Sequence, residues 1–429
     1  MSVVESSRHA APSTAARGTP NEFLREQGWR VVLAAWFGMA LSLTALPFYS
    51  LGVFAKPLAL EFGWSRSVIQ SGITFSTLAV ICSAWGTGWL IDRFGVRRVA
   101  LASQAGLALG FVAMALQQGK PLWWQANWFL LALLGVGTTP LTWSRGIGGW
   151  FDKQRGLAIG VALSGTGATA LIAPPLLNAL VAAQGWRMGY LAIATTIIVL
   201  GMPTVWLLFR DPPDAARTGA AGAARAHAQG QGLSLGQALH TRHFWIMLVS
   251  FAAISAAVAG MIPNLVPMLT DSGLSMAEAA SYASLLGLNV ILGRLLAGWL
   301  LDRFWGPAVA LALLMPPALA CWLLANQSAP ALAVMLIGLA GGAEFDLIAY
   351  LCLRYFGTRQ YGQIYAWQWA GFSLATGLGP MAFGLSFDHT GSYHLALGVA
   401  GGLLLAGPLL LFAMGRYPTS WPQAARQAR

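Results

Sequence analysis

Twelve apolar runs, each about as long as a bilayer is thick when wound as a helix, follow one another between Trp29 and Met414 with short polar connections. A helix needs about 20 apolar residues to cross the hydrocarbon, and it satisfies its own backbone hydrogen bonds there. The runs show no two-residue alternation, so a membrane β-barrel does not fit them. Of all residues 57% are hydrophobic and only 9% charged, whereas soluble domains carry roughly a quarter charged. An ordinary soluble fold is excluded.

The expected fold is an all-α integral membrane protein with twelve transmembrane helices in two six-helix halves. The spans are expected over residues 29–56, 66–91, 99–117, 122–148, 157–183 and 188–209, then 243–270, 279–301, 307–326, 331–353, 363–385 and 393–414. Residues 1–28 read as a disordered cytoplasmic tail and 29–209 as the first bundle. Residues 210–241, rich in Ala, Gly and Arg, read as a flexible cytoplasmic linker, 242–415 as the second bundle and 416–429 as a closing tail. Leu233–His240 could form a short surface helix. Pro47 is expected to kink span 1, Pro174-Pro175 to bend or break span 5, and Pro263 and Pro267 to loosen span 7. Irregular helices at equivalent places in two halves point to a binding site between them. Trp123, Trp124 and Trp128 are placed like an interfacial belt, and Cys82, Cys321 and Cys352 read as small buried hydrophobes.

The net charge of +11 does not mark a nucleic-acid surface, because its distribution has another cause. With both termini placed inside, 20 of the 25 Lys and Arg residues fall on the inner side. Four (Lys56, Arg66, Lys120 and Arg187) fall outside, and Arg294 lies within a span. That asymmetry sets the orientation. The short loops and arginine-rich inner side suit a bacterial inner membrane.

Charges at membrane depth cost several kcal/mol. Arg294 in span 8, with Glu344 and Asp346 in span 10, therefore need a reason to be there. Arg294 lies eight residues, roughly 12 Å, from the inner end of its helix. Asp346 stands the same number of residues before Arg354, so the two are expected at similar depth, while Glu344 points to another face. One reading gives Arg294 a substrate carboxylate to bind and gives Glu344 or Asp346 a proton to carry. The other makes Arg294 part of a fixed internal ion pair or a gate. Arg145, near the inner end of span 4, reads as a headgroup contact or a gating residue. Asn264, Asn289 and Gln368 are uncharged polar groups in spans, fit for substrate contact or for interhelical hydrogen bonds.

A second pattern connects the halves. Gly88-Trp89-Leu90-Ile91-Asp92-Arg93-Phe94-Gly95-Val96-Arg97-Arg98 returns, weaker, as Gly298-Trp299-Leu300-Leu301-Asp302-Arg303-Phe304. The first copy resembles the loop between helices 2 and 3 of the major facilitator superfamily (G-x-x-x-D-R-x-G-x-R-R). The resemblance implies two-half secondary transport by alternating access. It implies conformational gating for Gly88, Asp92, Arg93, Gly95, Arg97 and Arg98, and by the weaker copy for Asp302 and Arg303.

Three further segments resemble the monocarboxylate porter group: Tyr49–Phe54 with Glu61–Ser65, Trp150–Gly160 with Gly185–Arg187, and Gly293-Arg294. That likeness implies a small organic anion, often moved with a proton, and a substrate-binding role for Arg294. Two departures accompany it. Tyr49 stands near the place where animal members have a lysine, and Asn289-Val290 stand where they have an aspartate. The related oxalate–formate exchangers use a lysine in helix 11, where this chain has Gln363 and Gln368.

The expected function is secondary active transport of a small, monocarboxylate-like organic anion, with substrate contacts from Arg294, Tyr49, Asn264, Asn289 and Gln368 and proton coupling by Glu344 and Asp346. Expected partners are the substrate, membrane lipid and protons, with a monomer as the assembly and no nucleic acid, cofactor or metal. Proton-driven export of drugs or metabolites is the alternative, although Pro174-Pro175 in span 5 does not match the Gly-Pro pattern of such exporters. A transporter-like sensor is an alternative of another class. An enzyme is not expected, since the six histidines are scattered in tails and loops and no nucleophile motif or phosphate loop is present.

Overall fold

The computed structural model describes residues 20–148, 150–151, 155–211 and 232–418. The expected tails at 1–19 and 419–429, and linker residues 212–231, lie outside the described residues. After the linker a short helix, Leu235–Leu239, begins with a capping box between Ser234 and Gln237.

Among the described residues, nine helices are long and apolar enough to cross a membrane, and they cover spans 3 and 5 to 12. Span 2 is one 29-residue helix, Arg66–Phe94, with Ser, Thr and Gln along its length. Spans 1 and 4 are broken.

Span 1 consists of Pro20–Ala40 and Leu46–Phe62. Span 4 consists of Pro121–Gly135, a 3-10 turn at Val136–Thr138, and Pro140–Gly148. The two breaks face each other: the Leu43 N–H donates to Thr138 Oγ1 at 2.9 Å. The Gly137 N–H donates to Ser103 Oγ of span 3 at 3.1 Å. An interrupted helix leaves buried backbone donors without acceptors, and these hydroxyls take them. Pro47 and Pro140 each lie in the first turn of the helix after the break, where a missing N–H is tolerated. Span 1 is therefore interrupted ahead of Pro47 rather than kinked at it.

Span 7 is not interrupted. It is a single helix, Arg242–Asp271, that keeps Pro263 and Pro267 inside. Pro267 has no N–H to offer the Pro263 carbonyl four residues back. Gln70 of span 2 supplies the donor, its Nε2 lying 3.3 Å from that oxygen. The discontinuity in span 1 is thus matched by span 4 of the same half, not by span 7. In span 5, Pro174 and Pro175 do not break the helix, which is continuous over Gly165–Gln184; a break comes earlier, at Ser164. There Gly165 packs so closely on span 1 that a Cβ would stand 2.3 Å from the Trp36 carbonyl oxygen.

Two smaller expectations are corrected. Trp124 and Trp128 are buried, with the Trp124 indole N–H donating to the Ile69 carbonyl of span 2 at 3.2 Å, and only Trp123 faces outward. Cys82 is exposed, whereas Cys321 and Cys352 are buried. A helix has room for both outcomes, because an apolar run looks the same on its lipid face and its packed face.

Each half has its own buried core. The halves meet through spans 1 and 7, 2 and 11, and 5 and 8. Small residues allow this: a Cβ on Gly287 would lie 2.1 Å from the Leu171 nitrogen, and one on Gly384 would lie 2.7 Å from the Ser67 nitrogen. The contact is one-sided. Span 2 presents Gln70 and Thr77 to the opposite half, and the same helical face continues to Ile81 and Gly88. Yet Ile81 is exposed, and a Cβ on Gly88 would meet only Arg145 Nη1, at 4.0 Å. On span 11 the face that carries Gly377 and Gly384 continues to the exposed Ala370, Ala366 and Gln363. The bundle is joined at its Arg66 end and parted at its Gly88 end.

Candidate substrate-binding site

Glycines build the site by bringing spans 8 and 10 together backbone to backbone. A Cβ on Gly293 would lie 2.2 Å from the Leu339 carbonyl oxygen, and one on Gly342 would lie 2.1 Å from that of Val290. Gly338 makes a similar approach to Leu286. This contact carries Arg294 across to span 10, where its Nε stands 3.7 Å from Asp346 Oδ2. The two residues do share a depth.

The pair is loose. Among the described residues, Arg294 Nε and Nη1 are buried without a hydrogen-bond partner, and so is Glu344 Oε2. The Arg294 guanidinium lies over the Phe345 ring, 5.9 Å from its centroid. Glu344 is 5% exposed and also feels the Arg294 charge. From the other half, the Tyr49 side chain packs on the core of the second half, within Coulombic reach of both Arg294 and Glu344. A buried guanidinium with two unused donors beside a buried, unpartnered carboxyl oxygen is costly unless something else completes their hydrogen bonds. Nη2 lies between these two donors, and with either of them it makes a fork that can receive a carboxylate by two bonds.

The three amide candidates have hydrogen-bond partners on the helices. Asn264 is wholly buried and joins three spans: its Nδ2 donates to the Gly260 and Pro380 carbonyls at 2.9 and 3.2 Å, and its Oδ1 accepts from Gln70 Nε2 at 3.0 Å. Asn289 Nδ2 donates within its own helix to the Leu285 carbonyl at 2.8 Å. Gln368 Nε2 donates to the Phe244 carbonyl of span 7 at 3.0 Å, leaving its Oε1 unpartnered. Asn264 and Gln368 thus tie helices together, whereas Asn289 bonds only along its own helix.

The repeated loop has partners of its own. Gly95 turns the chain between spans 2 and 3 with φ +83°, and its missing Cβ leaves room for Asp211, whose Oδ2 would otherwise lie 2.8 Å from it. Asp211 Oδ1 accepts from the Val96 and Arg97 N–H groups at 2.9 and 3.2 Å, capping span 3. The Arg97 guanidinium also donates to the Trp206 carbonyl. Sequence reading placed Asp211 in the linker. Its role depends on span 6 ending beside span 3, which no local pattern announces. Arg93 lies over Trp89, Arg98 is exposed, and Arg145 Nη1 donates to the Gly88 carbonyl at 3.3 Å. In the second copy Asp302 is exposed, and Arg303 donates to the Trp299 carbonyl at 3.0 Å. Among the described residues, only Arg145 Nη1, at 4.0 Å, would come near a Cβ on Gly88. The Asp92 side chain lies outside the described residues.

A second cluster closes the opposite end, and sequence reading missed it. Arg66 pairs with Asp271 of span 7 at 3.0 Å, and Asp388 of span 11 accepts from the backbone of span 2. The signal available was weak: acidic residues at the ends of apolar runs.

Two six-helix halves enclosing buried charges at their junction define a multi-pass membrane transporter rather than an enzyme. The chain belongs to the Major Facilitator Superfamily, whose sequence profile matches residues 33–369. It is 27% identical over 417 residues to human monocarboxylate transporter 11, covering 91% of this chain and 83% of the relative. It is 24% identical to the oxalate:formate antiporter of Oxalobacter formigenes, over 63% of this chain and 62% of that protein. In fold it is similar to the crystal structure of a D-xylose-proton symporter, with a TM-score of 0.70, 15% identity and coverage of 91% of this chain and 98% of the other.

Proposed function

We propose that this transporter carries a small organic anion of the monocarboxylate kind, and that Arg294 binds its carboxylate. The observation that supports this most is the pair of unused, buried donors on Arg294 at the junction of the two halves. An incoming carboxylate would take Nε together with Nη2, in competition with Asp346, whose 3.7 Å contact is looser than a hydrogen bond, or Nη1 together with Nη2, leaving Asp346 in place. Tyr49, reaching the same charges from the first half, would make binding sensitive to how the halves are disposed. Relatives described as monocarboxylate transporter and oxalate:formate antiporter favour the same substrate class.

Proton coupling is assigned to Glu344. It is more deeply buried than Asp346 and has an oxygen without a partner. When Arg294 turns to a substrate, a negative charge left on Glu344 loses its nearest compensation, which favours proton uptake. The excess of Lys and Arg at the Gly88 end supports a cytoplasmic position for that end and for both termini, and the short loops suit a bacterial inner membrane. The parted end then faces inward, and the protein works as a monomer.

The test is uptake of labelled carboxylates into proteoliposomes, with and without a proton gradient. Wild type should accumulate a carboxylate, Arg294→Ala should abolish uptake, and Glu344→Gln should retain exchange while losing gradient dependence. Folded wild-type protein that moves no carboxylate overturns the assignment.

A further inference from the structure

Span 11, Tyr361–Thr390, carries four aromatic side chains in register: Tyr361, Tyr365, Trp369 and Phe372. The spacing places them along one stripe of the helix. Tyr361 and Tyr365 stack with centroids 5.6 Å apart, Tyr365 and Trp369 at 5.9 Å, and Trp369 and Phe372 at 5.4 Å. The row does not stop there. Phe345 of span 10 joins it, 5.4 Å from Trp369 and 5.1 Å from Phe372, and Arg294 lies over Phe345. A continuous series of rings therefore leads from the parted end of span 11 to the buried guanidinium, about 16 Å along the helix axis.

The stripe is not the lipid face. Trp367, Leu374 and Leu378 are exposed and mark that face, and Tyr365 and Trp369 are each about 200° from Trp367 at 100° per residue. Opposite the lipid in a bundle helix is the centre of the bundle. Tyr361, Tyr365, Trp369 and Phe345 are only half-buried, packed on the edge of the second half's core with ring surface left over. A carboxylate of two or three carbons would fill the donors of Arg294 and leave these rings uncovered. A flat, conjugated group attached to the carboxylate would lie on Trp369 and Phe345 while Arg294 holds the charge.

We infer that the substrate is an arylcarboxylate, a carboxylate bearing an aromatic ring one or two bonds away, and that Trp369 and Phe345 select it by ring contact. This inference rests on the anion assignment made above. It concerns the part of the ligand that the anion assignment leaves open.

The experiment compares carboxylates of equal charge in proteoliposomes: phenylacetate, cyclohexylacetate (similar in size but not flat), and acetate. Wild type is expected to prefer phenylacetate to cyclohexylacetate by about tenfold in KM, the range that aromatic contact supplies beyond area burial. That ratio should fall to near one in Trp369→Leu and persist in Trp369→Phe. Phe345→Leu serves the same purpose if Trp369→Leu does not fold. Transport of acetate or cyclohexylacetate as readily as phenylacetate by wild type overturns the inference and leaves the anion assignment standing. Failure of folded wild type to move any of the three overturns both.

Discussion

Asp388, in the last turn of span 11, caps Arg66 at the first turn of span 2 in the opposite half. Its carboxylate oxygens accept from the backbone N–H groups of Arg66 and Ser67, each at 2.9 Å. A helix start has free donors and partial positive charge, so a carboxylate from another domain can act as its cap. Arg66 in turn reaches Asp271 by two bonds, at 3.1 and 3.0 Å. Arg66 thus ties the joined end to two spans of the other half, its backbone bonded to span 11 and its side chain to span 7.

Asp388→Ala removes that cap without touching the proposed binding residues. Caps contribute about 1 kcal/mol, so the closed end should open about fivefold more often. A cysteine at Thr77, with the three native cysteines replaced by serine, should react correspondingly faster with an impermeant maleimide applied from the Arg66 side. Unchanged labelling would show that the cap does not hold that end.

Gln70→Leu should destabilise the protein by about 1–3 kcal/mol, the cost of leaving buried acceptors unmet. Gln70 Nε2 serves both the Pro263 carbonyl, which Pro267 cannot satisfy, and Asn264 Oδ1. A lowered melting temperature in detergent is the expected result. Gln70→Met, which loses the donor but keeps a similar length, should behave like Gln70→Leu.

Gly342→Ala forces spans 8 and 10 apart, since its Cβ would stand 2.1 Å from the Val290 carbonyl oxygen. Overpacking of this kind costs about 1–3 kcal/mol. The displacement also separates Arg294 from Asp346. Thermal stability and uptake should both fall, whereas Gly298→Ala, with nothing within 4 Å, should leave stability unchanged.

Glu61 lies at the outer end of the second helix of span 1, past the apolar run that ends at residue 56. The Arg187 guanidinium, at 2.8 Å, and then the Trp186 indole N–H hold its carboxyl below the usual carboxylate range. A lowered folded-state pKa gives stability that is fully present above the unfolded value of about 4.3 and is lost as pH falls through the folded value. The pair is half-exposed, so the effect is small. The melting-temperature difference between wild type and Glu61→Gln should be positive at neutral pH and vanish as pH falls below the lowered folded value. A difference that persists there would show that shape, not charge, is responsible.

The sequence determined the bilayer-spanning segments, the two halves and the three charges at membrane depth. Each of these follows from a property summed over about 20 neighbouring residues, the free energy of leaving water, so it can be read along the chain. The depth match of Arg294 and Asp346 was legible for the same reason, since helical rise is constant. Tertiary structure decided the rest. The breaks in spans 1 and 4 needed Thr138 to meet Leu43, the continuity of span 7 needed Gln70 beside Pro263, and the cap on span 2 needed Asp388 from the other half. Asn264 became a helix tie and Asp211 a cap by the same logic. A buried polar group is defined by the partner it finds, and these partners lie scores or hundreds of residues away in the chain.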